Sequence, residues 1–102
     1  MGLGNVITKI EKWAEDRNLI DGSTSKDQCV KLIEEFGELA TGISKKKPEK
    51  IKDGIGDMLV VLTIIAAQED LTLEECAEYA YEEIKDRKGE MRDGIFVKEA
   101  DL

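Results

Sequence analysis

The chain gathers five carboxylates into two short runs: Glu34, Glu35 and Glu38 in Glu34-Glu35-Phe36-Gly37-Glu38, then Asp53 and Asp57 in Asp53-Gly54-Ile55-Gly56-Asp57. Hard divalent cations, Mg2+ foremost and Mn2+ as its substitute, take oxygen ligands and commonly share their shell between a few carboxylates, waters and phosphate oxygens. Carboxylates brought to one spot without a cation repel one another and raise one another's pKa, so a convergent set makes most sense around a metal. A metal held there neutralises phosphate charge and lowers the pKa of water enough for attack on phosphorus near neutral pH. The chain has no histidine, which excludes the usual zinc enzymes and Ser-His-Asp hydrolases but leaves this chemistry open.

Two helices must position these acids. At about 100° per residue, positions 34, 35 and 38 share an arc of roughly 100°, and positions 53 and 57 lie about 40° apart, so each run presents one acidic face. The intervening Ser44-Lys45-Lys46-Lys47 is short and polar, which folds the helices back as antiparallel neighbours. In that hairpin Glu38 falls opposite Asp53 and Glu34 opposite Asp57. A solvated acidic face is the plain alternative, because 37% of the residues are charged and acidic helical runs usually face water. The matched spacing weighs against it, as do Gly37, Gly54 and Gly56, since glycine inside a helix costs about 1 kcal/mol and leaves room for a ligand or a close helix contact.

The remaining elements follow from apolar periodicity and capping. Val6, Ile7, Ile10, Trp13 and Ala14 predict a first helix from residue 5 to about 18, ended by Asp21-Gly22-Ser23. The second begins at Thr24 or Ser25 and carries Cys29, Leu32, Ile33, Phe36, Leu39, Ala40 and Ile43 as an apolar stripe beside the acids. Pro48 suits the first turn of a third, running to about Glu69. Thr72 with Glu75 reads as a capping box for a fourth, reaching about Lys88, with Cys76, Ala77, Ala80 and Ile84 inward. Asp93-Gly94 then starts a short extended tail through Ile95-Phe96-Val97. The expected fold is all-α, a single four-helix-bundle-like domain over residues 1–102 with a tail from about 93. The third helix is apolar on every side from Met58 to Ala67. A four-helix monomer would leave part of it wet, which predicts a homo-oligomer, dimer or tetramer.

Composition narrows the partners. With 23 acidic against 15 basic residues and a net charge of −8, a nucleic-acid or anionic-membrane surface is disfavoured, and an anionic ligand must arrive with cations. Cys29 and Cys76 are too far apart for a thiolate metal motif, and each recurs at core spacing, so both read as buried free thiols in a reducing cytoplasm. The Met58–Ala67 run is about half of what a bilayer requires, and the N-terminus lacks a signal-peptide pattern. No P-loop occurs. Lys85, Arg87 and Lys88 close the fourth helix and are candidates for triphosphate oxygens, as is Lys31, one turn before Glu35. Their structural alternatives are a complement to a helix C-terminus and an i,i+4 ion pair. Trp13, the only Trp, is a candidate for stacking a base, with core or interface packing as the stronger alternative.

Three segments, Lys31-Leu-Ile-Glu-Glu-Phe-Gly-Glu-Leu39, Ile51-Lys-Asp-Gly-Ile-Gly-Asp-Met-Leu-Val-Val-Leu62 and Tyr81-Glu-Glu-Ile-Lys-Asp-Arg-Lys-Gly89, resemble the MazG-like branch of the all-α nucleoside triphosphate pyrophosphohydrolases, in particular the short single-domain proteins of phages and bacteria. The resemblance runs from Trp13 to the Asp93-Gly94 tail. It implies Mg2+ dependence, oligomerisation, and cleavage between the α and β phosphates to give a monophosphate and pyrophosphate. Carried over from the family's Glu-Glu-x-x-Glu and Glu-x-x-Asp motif, it implies Glu35, Glu38 and Asp57 as metal ligands, with Glu34 supporting or activating water. The fourth ligand position holds Gly54, and Asp53, one residue earlier, is the available substitute. Glu82 stands where similar proteins often have an Asn that helps hold the nucleotide.

The leading expectation is therefore a cytoplasmic Mg2+-dependent enzyme acting on nucleoside or deoxynucleoside triphosphates, in a bacterium or, if phage-encoded, in its host, serving pool sanitation or nucleotide control. Its rival is a nucleotide-binding or regulatory module of the same fold that lost turnover at Gly54. A third reading is an acidic helical interaction protein with no ligand site.

Overall fold

All 102 residues are described by a computed structural model, and two of its four long helices, the second and the fourth, begin where side chains satisfy free N–H groups of a first turn. Leu3–Asp16 forms α1, Ser25–Ser44 α2, Pro48–Gln68 α3 and Leu73–Ile84 α4. Thr24 caps α2 reciprocally: its hydroxyl accepts from the Asp27 N–H at 3.1 Å, and the Asp27 carboxylate accepts from the Thr24 N–H at 3.0 Å. Thr72 and Glu75 repeat the device at α4, at 3.1 and 2.7 Å. Pro48 opens α3 where its missing N–H has no intrahelical partner to lose. Beyond the ends of α1, α2 and α3, Asn18, Lys46 and Asp70 take φ of 57°, 53° and 58°, the left-handed turn that stops a helix.

α1 lies about two residues earlier than the expected span of 5 to about 18, and two features near the C-terminus also differ from expectation. The fourth helix ends at Ile84 rather than near Lys88, because Gly89–Arg92 forms a strand, β1, that pairs antiparallel with Ile95–Lys98, β2. Asp93-Gly94 does not start an extended tail but is the two-residue turn of this hairpin, with φ of 52° and 81° and Arg92 opposite Ile95. Positive φ at both central residues is the geometry that matches strand twist, and Asp-Gly is among its preferred dipeptides. A short 3-10 turn, Glu99–Asp101, follows.

The α2–α3 hairpin is the most extensive packing between two elements of the molecule. Gly54 sits so tightly on Leu39 that an added Cβ would lie 2.9 Å from the Leu39 Cβ, and one at Gly42 would lie 3.0 Å from the Lys50 Cβ. The two helices are therefore antiparallel as expected, but the register runs one to two positions away from the Glu38–Asp53 pairing. α1 packs on the far half of α3, and Gln68 ties the intervening loop down: its amide donates to the Ile20 carbonyl at 3.2 Å and to the Ser23 carbonyl and hydroxyl, both at 3.0 Å. Ala14, Val61, Thr63, Ile64 and Ala66 are buried there.

That is nearly the whole core, since 8 of 102 residues are buried. α3 is central, yet Ile55 and Leu62 remain exposed. On α2, Leu32, Glu35, Leu39 and Gly42 turn toward α3, while Cys29, Ile33, Phe36, Ala40 and Ile43 form a second seam that faces out. α4 is exposed along all of its length after Leu73. Cys29 and Cys76, expected to be buried, are both exposed free thiols, because each sits on a helix face that this chain leaves uncovered. The radius of gyration is 16.1 Å, against about 13 Å for a compact chain of this length. The accessible surface of 7818 Å² exceeds by about 2,000 Å² what a monomer of this mass exposes.

Candidate metal centre

The acids converge because α2 and α3 each place them on the sides of the seam. Glu35, Glu38 and Asp57 bring one carboxylate oxygen apiece to within 4.8 Å of one another. Glu35 is the unusual member: it is 6% exposed, and its Oε2 is buried with no hydrogen-bond partner. Its other oxygen lies 3.2 Å from the Lys31 ammonium, which also stands 3.8 Å from Glu34. A buried carboxylate with one oxygen unanswered costs free energy unless a cation or donor meets it. The donor set fits a hard divalent cation: three carboxylates, all oxygen, with open positions for water and phosphate.

The cluster's electrostatics agree. Partial burial, then the charges of Glu35 and Asp53, push the Asp57 carboxyl above its usual range, against a downward pull from Lys31. Asp57 is still open to solvent on one side, which screens these charges. The Lys31 ammonium is held above its ordinary value by its hydrogen bond to Glu35 and by the charges of Glu35, Glu34 and Glu38.

The register difference explains who joins the cluster. Sliding α3 past α2 brings Asp57 to Glu35 and Glu38 and leaves Asp53 outside that 4.8 Å group. Asp53 does line the same open cleft, of about 700 Å³, together with Glu34, Glu38 and Asp57. Gly54 cannot be a ligand, and the Leu39 backbone and side chain fill the space a larger residue would need.

The predicted cationic residues divide. Lys31 is at the cluster. Lys85 pairs with Glu82 at 2.7 Å on α4, and Arg87 and Lys88 lie in the exposed turn beyond it. None of the three lines the cleft of its own chain. Lys50 and Thr41, which do line it, carried no sequence signal beyond Lys50's position near the start of α3. Trp13 lines a second, apolar pocket of about 460 Å³ with Val6, Ile10 and Val60, and Asp57 belongs to both pockets. The Arg17 guanidinium covers its ring at 4.7 Å, a cation–π contact.

Residues 24–91 match the MazG nucleotide pyrophosphohydrolase domain, a span holding both acidic runs, α2, α3 and α4. An uncharacterized 18.2 kDa protein from the rep-hol intergenic region of Haemophilus phage HP1 is 56% identical over 66 residues, 65% of this chain. The chain spans 40% of that relative's length. No solved structure matches.

Proposed function

The chain belongs to the MazG nucleotide pyrophosphohydrolase domain family, and from that membership we propose that it is a Mg2+-dependent enzyme of the cytoplasm, cleaving nucleoside or deoxynucleoside triphosphates to monophosphate and pyrophosphate. The observation that carries this reading is Glu35: a nearly buried carboxylate with an unanswered oxygen, set beside Glu38 and Asp57. Bound Mg2+ would neutralise phosphate charge and activate a water. Glu35, Glu38 and Asp57 would hold it, with Asp53 available across the cleft. Glu34 lines that cleft beside Glu38 and would accept the proton as the water oxygen bonds to the α-phosphorus and the bond to the bridging oxygen breaks. Lys31 pairs with Glu35 and Glu34 and would offer a cation to the α-phosphate. The Trp13 pocket, joined to the cleft through Asp57, takes the base. Removal of unwanted nucleotides, or control of the pool, is the cellular purpose this chemistry serves.

The enzyme works as a homo-oligomer, dimer or tetramer. Excess surface of about 2,000 Å² is the size of a stable interface, and the Cys29, Ile33, Phe36, Ala40 and Ile43 seam has the 3.5-residue spacing that seats a second helix. Lys85, Arg87 and Lys88 can reach phosphates from such a neighbouring copy.

A panel of triphosphates with Mg2+, assayed for monophosphate and pyrophosphate, tests the activity. No release above a Glu38→Ala control sinks it. A second reading, a nucleotide-binding module with little turnover, is favoured by one observation: Gly54 offers no ligand and Asp53 stands outside the three-carboxylate group. Nucleotide binding that persists without product would select it.

A further inference from the structure

The α2–α3 hairpin carries opposite charge at its two ends. At the turn, residues 45–52 hold Lys45, Lys46, Lys47, Lys50 and Lys52 against Glu49, a net of +4. The far end is assembled from two stretches, because the Ser25 hydroxyl donates to the Glu69 carboxylate at 2.6 Å and Gln68 holds the Ile20–Ser23 loop. There, residues 21–27 and 69–75 hold Asp21, Asp27, Glu69, Asp70, Glu74 and Glu75 against Lys26, a net of −5.

Every one of these charged side chains is exposed, and none enters an ion pair. The 20 residues of α2 keep the ends about 30 Å apart, roughly three to four Debye lengths at physiological salt. Neither end answers the other within one chain. Between them runs the outward seam of Cys29, Ile33, Phe36, Ala40 and Ile43, in which Ile33, Phe36 and Ile43 are 71%, 59% and 57% exposed. Its spacing seats a second helix in either direction, so periodicity alone leaves the orientation open. Charge decides it. Parallel copies would set lysines beside lysines and acids beside acids, whereas antiparallel copies set each lysine-rich turn on the acidic end of the other, twice over.

We propose that two copies of this chain pair antiparallel along the α2 seam, the Lys45–Lys52 end of each lying on the acidic end of the other. This rests on the homo-oligomer reading and adds an orientation to it. A second copy is the occupant because it supplies both signs at the required separation; a partner of one sign would answer only one end. The two-fold axis then passes beside Phe36, with Cys29 opposite Ile43 of the second copy and Ile33 opposite Ala40. The two Cys29 residues stand about 21 Å apart, far beyond the Cα separation of about 7 Å that a disulfide spans.

A cysteine map reads that orientation. In a Cys76→Ser background, Ile43→Cys is expected to give a covalent dimer through Cys29 on oxidation with copper phenanthroline, seen on a non-reducing gel. Cys76→Ser alone stays a single chain on that gel, as does Ile43→Cys combined with Cys29→Ser and Cys76→Ser. Light scattering in reductant is expected to give all three variants the mass of the unaltered protein. Charge is tested separately: Lys45→Glu, Lys46→Glu and Lys47→Glu together should weaken assembly at least tenfold at about 50 mM salt and less than twofold at about 1 M, where the Debye length is about 3 Å. A covalent dimer from Cys76→Ser alone overturns the inference in favour of parallel pairing. So does an oligomer of unchanged mass in which Ile43→Cys forms no crosslink, or a turn reversal without effect at low salt. If the unaltered protein is oligomeric when any of these is seen, only the orientation falls; if it is a single chain at every salt concentration, the homo-oligomer reading falls with it.

Discussion

α2 and α4 start the same way and end in different circumstances. Both carry a threonine capping box, and both present an amphipathic pattern. Yet α2 locks against α3 through Gly42 and Gly54 and encloses Glu35, whereas α4 buries none of its side chains. Capping and periodicity decide that a segment is helical; they do not decide what it packs on. The α2–α3 pair finds its packing partner within the chain and holds the acidic cluster. α4 and the outward seam of α2 carry apolar surface that this chain leaves uncovered.

The largest expected effect breaks the first half of that comparison. Glu35→Gln keeps the shape of the buried side chain but removes its charge, and should reduce pyrophosphate release on the order of a hundredfold or more, since a bound metal supplies several kcal/mol of charge stabilisation. It should also abolish the rise in melting temperature that Mg2+ gives by binding the folded state. A thermal shift equal to that of the unaltered protein would mean that Glu35 is merely a buried acid paired with Lys31. Next in size is the second half. Ile33→Lys places a charge in the outward seam, where Ile33 is 71% exposed in the single chain, and should convert the assembly to smaller species at micromolar concentration by light scattering. If the mass does not change, the seam is ordinary surface.

The glycines sharpen the contrast within one helix pair. Gly54→Ala drives a methyl against Leu39 and should destabilise by about 1–3 kcal/mol in denaturant unfolding, as overpacking does. Gly37→Ala meets nothing within 4 Å and should stabilise by up to about 1 kcal/mol through helix propensity. Opposite signs at two glycines in the same hairpin would be hard to obtain if Gly54 were only a vacated ligand position.

How far the sequence could be read divides along the same line. Thr24, Pro48 and Thr72 announce helix starts because caps act locally, and the two acidic runs announce a common site because their helical spacing is periodic. The register was out of reach: Gly42 and Gly54 let α3 slide along α2, so Asp57 rather than Asp53 meets Glu38, and that depends on side-chain volumes across the seam. Cys29 and Cys76 show a second limit. Their spacing marks an apolar face, but nothing in periodicity distinguishes a face covered by the same chain from one left for another. Lys50 was hidden for a simpler reason, since a lone lysine on a lysine-rich turn has no motif. The Asp93-Gly94 turn, by contrast, carried a readable hairpin signal between Met91-Arg92 and Ile95-Phe96, and only the shortness of the flanking strands obscured it.

The smallest effect concerns pH. The Asp57 carboxyl is held above its usual range in the fold, by lost hydration and by Glu35 and Asp53, so in metal-free protein the folded state binds its proton more tightly than the unfolded chain does. The sign follows from linkage: this group's contribution to stability is fully present below the ordinary aspartate value near 3.8 and is lost as pH rises through the elevated one. Asp27 opposes it at the acid end, because its bonds to the Thr24 backbone N–H and hydroxyl lower its pKa and its contribution is lost as pH falls. The two can be separated by Asp57→Asn, which removes the repulsion at neutral pH. In chelator the variant should melt slightly above the parent at pH 7, with the difference shrinking as the pH drops toward the ordinary aspartate value. With Mg2+ the order should reverse, because only the parent gains from the ion. A variant that melts lower than the parent in chelator at pH 7 would show that Asp57 stabilises the metal-free cluster, and that Lys31 alone already balances its charge.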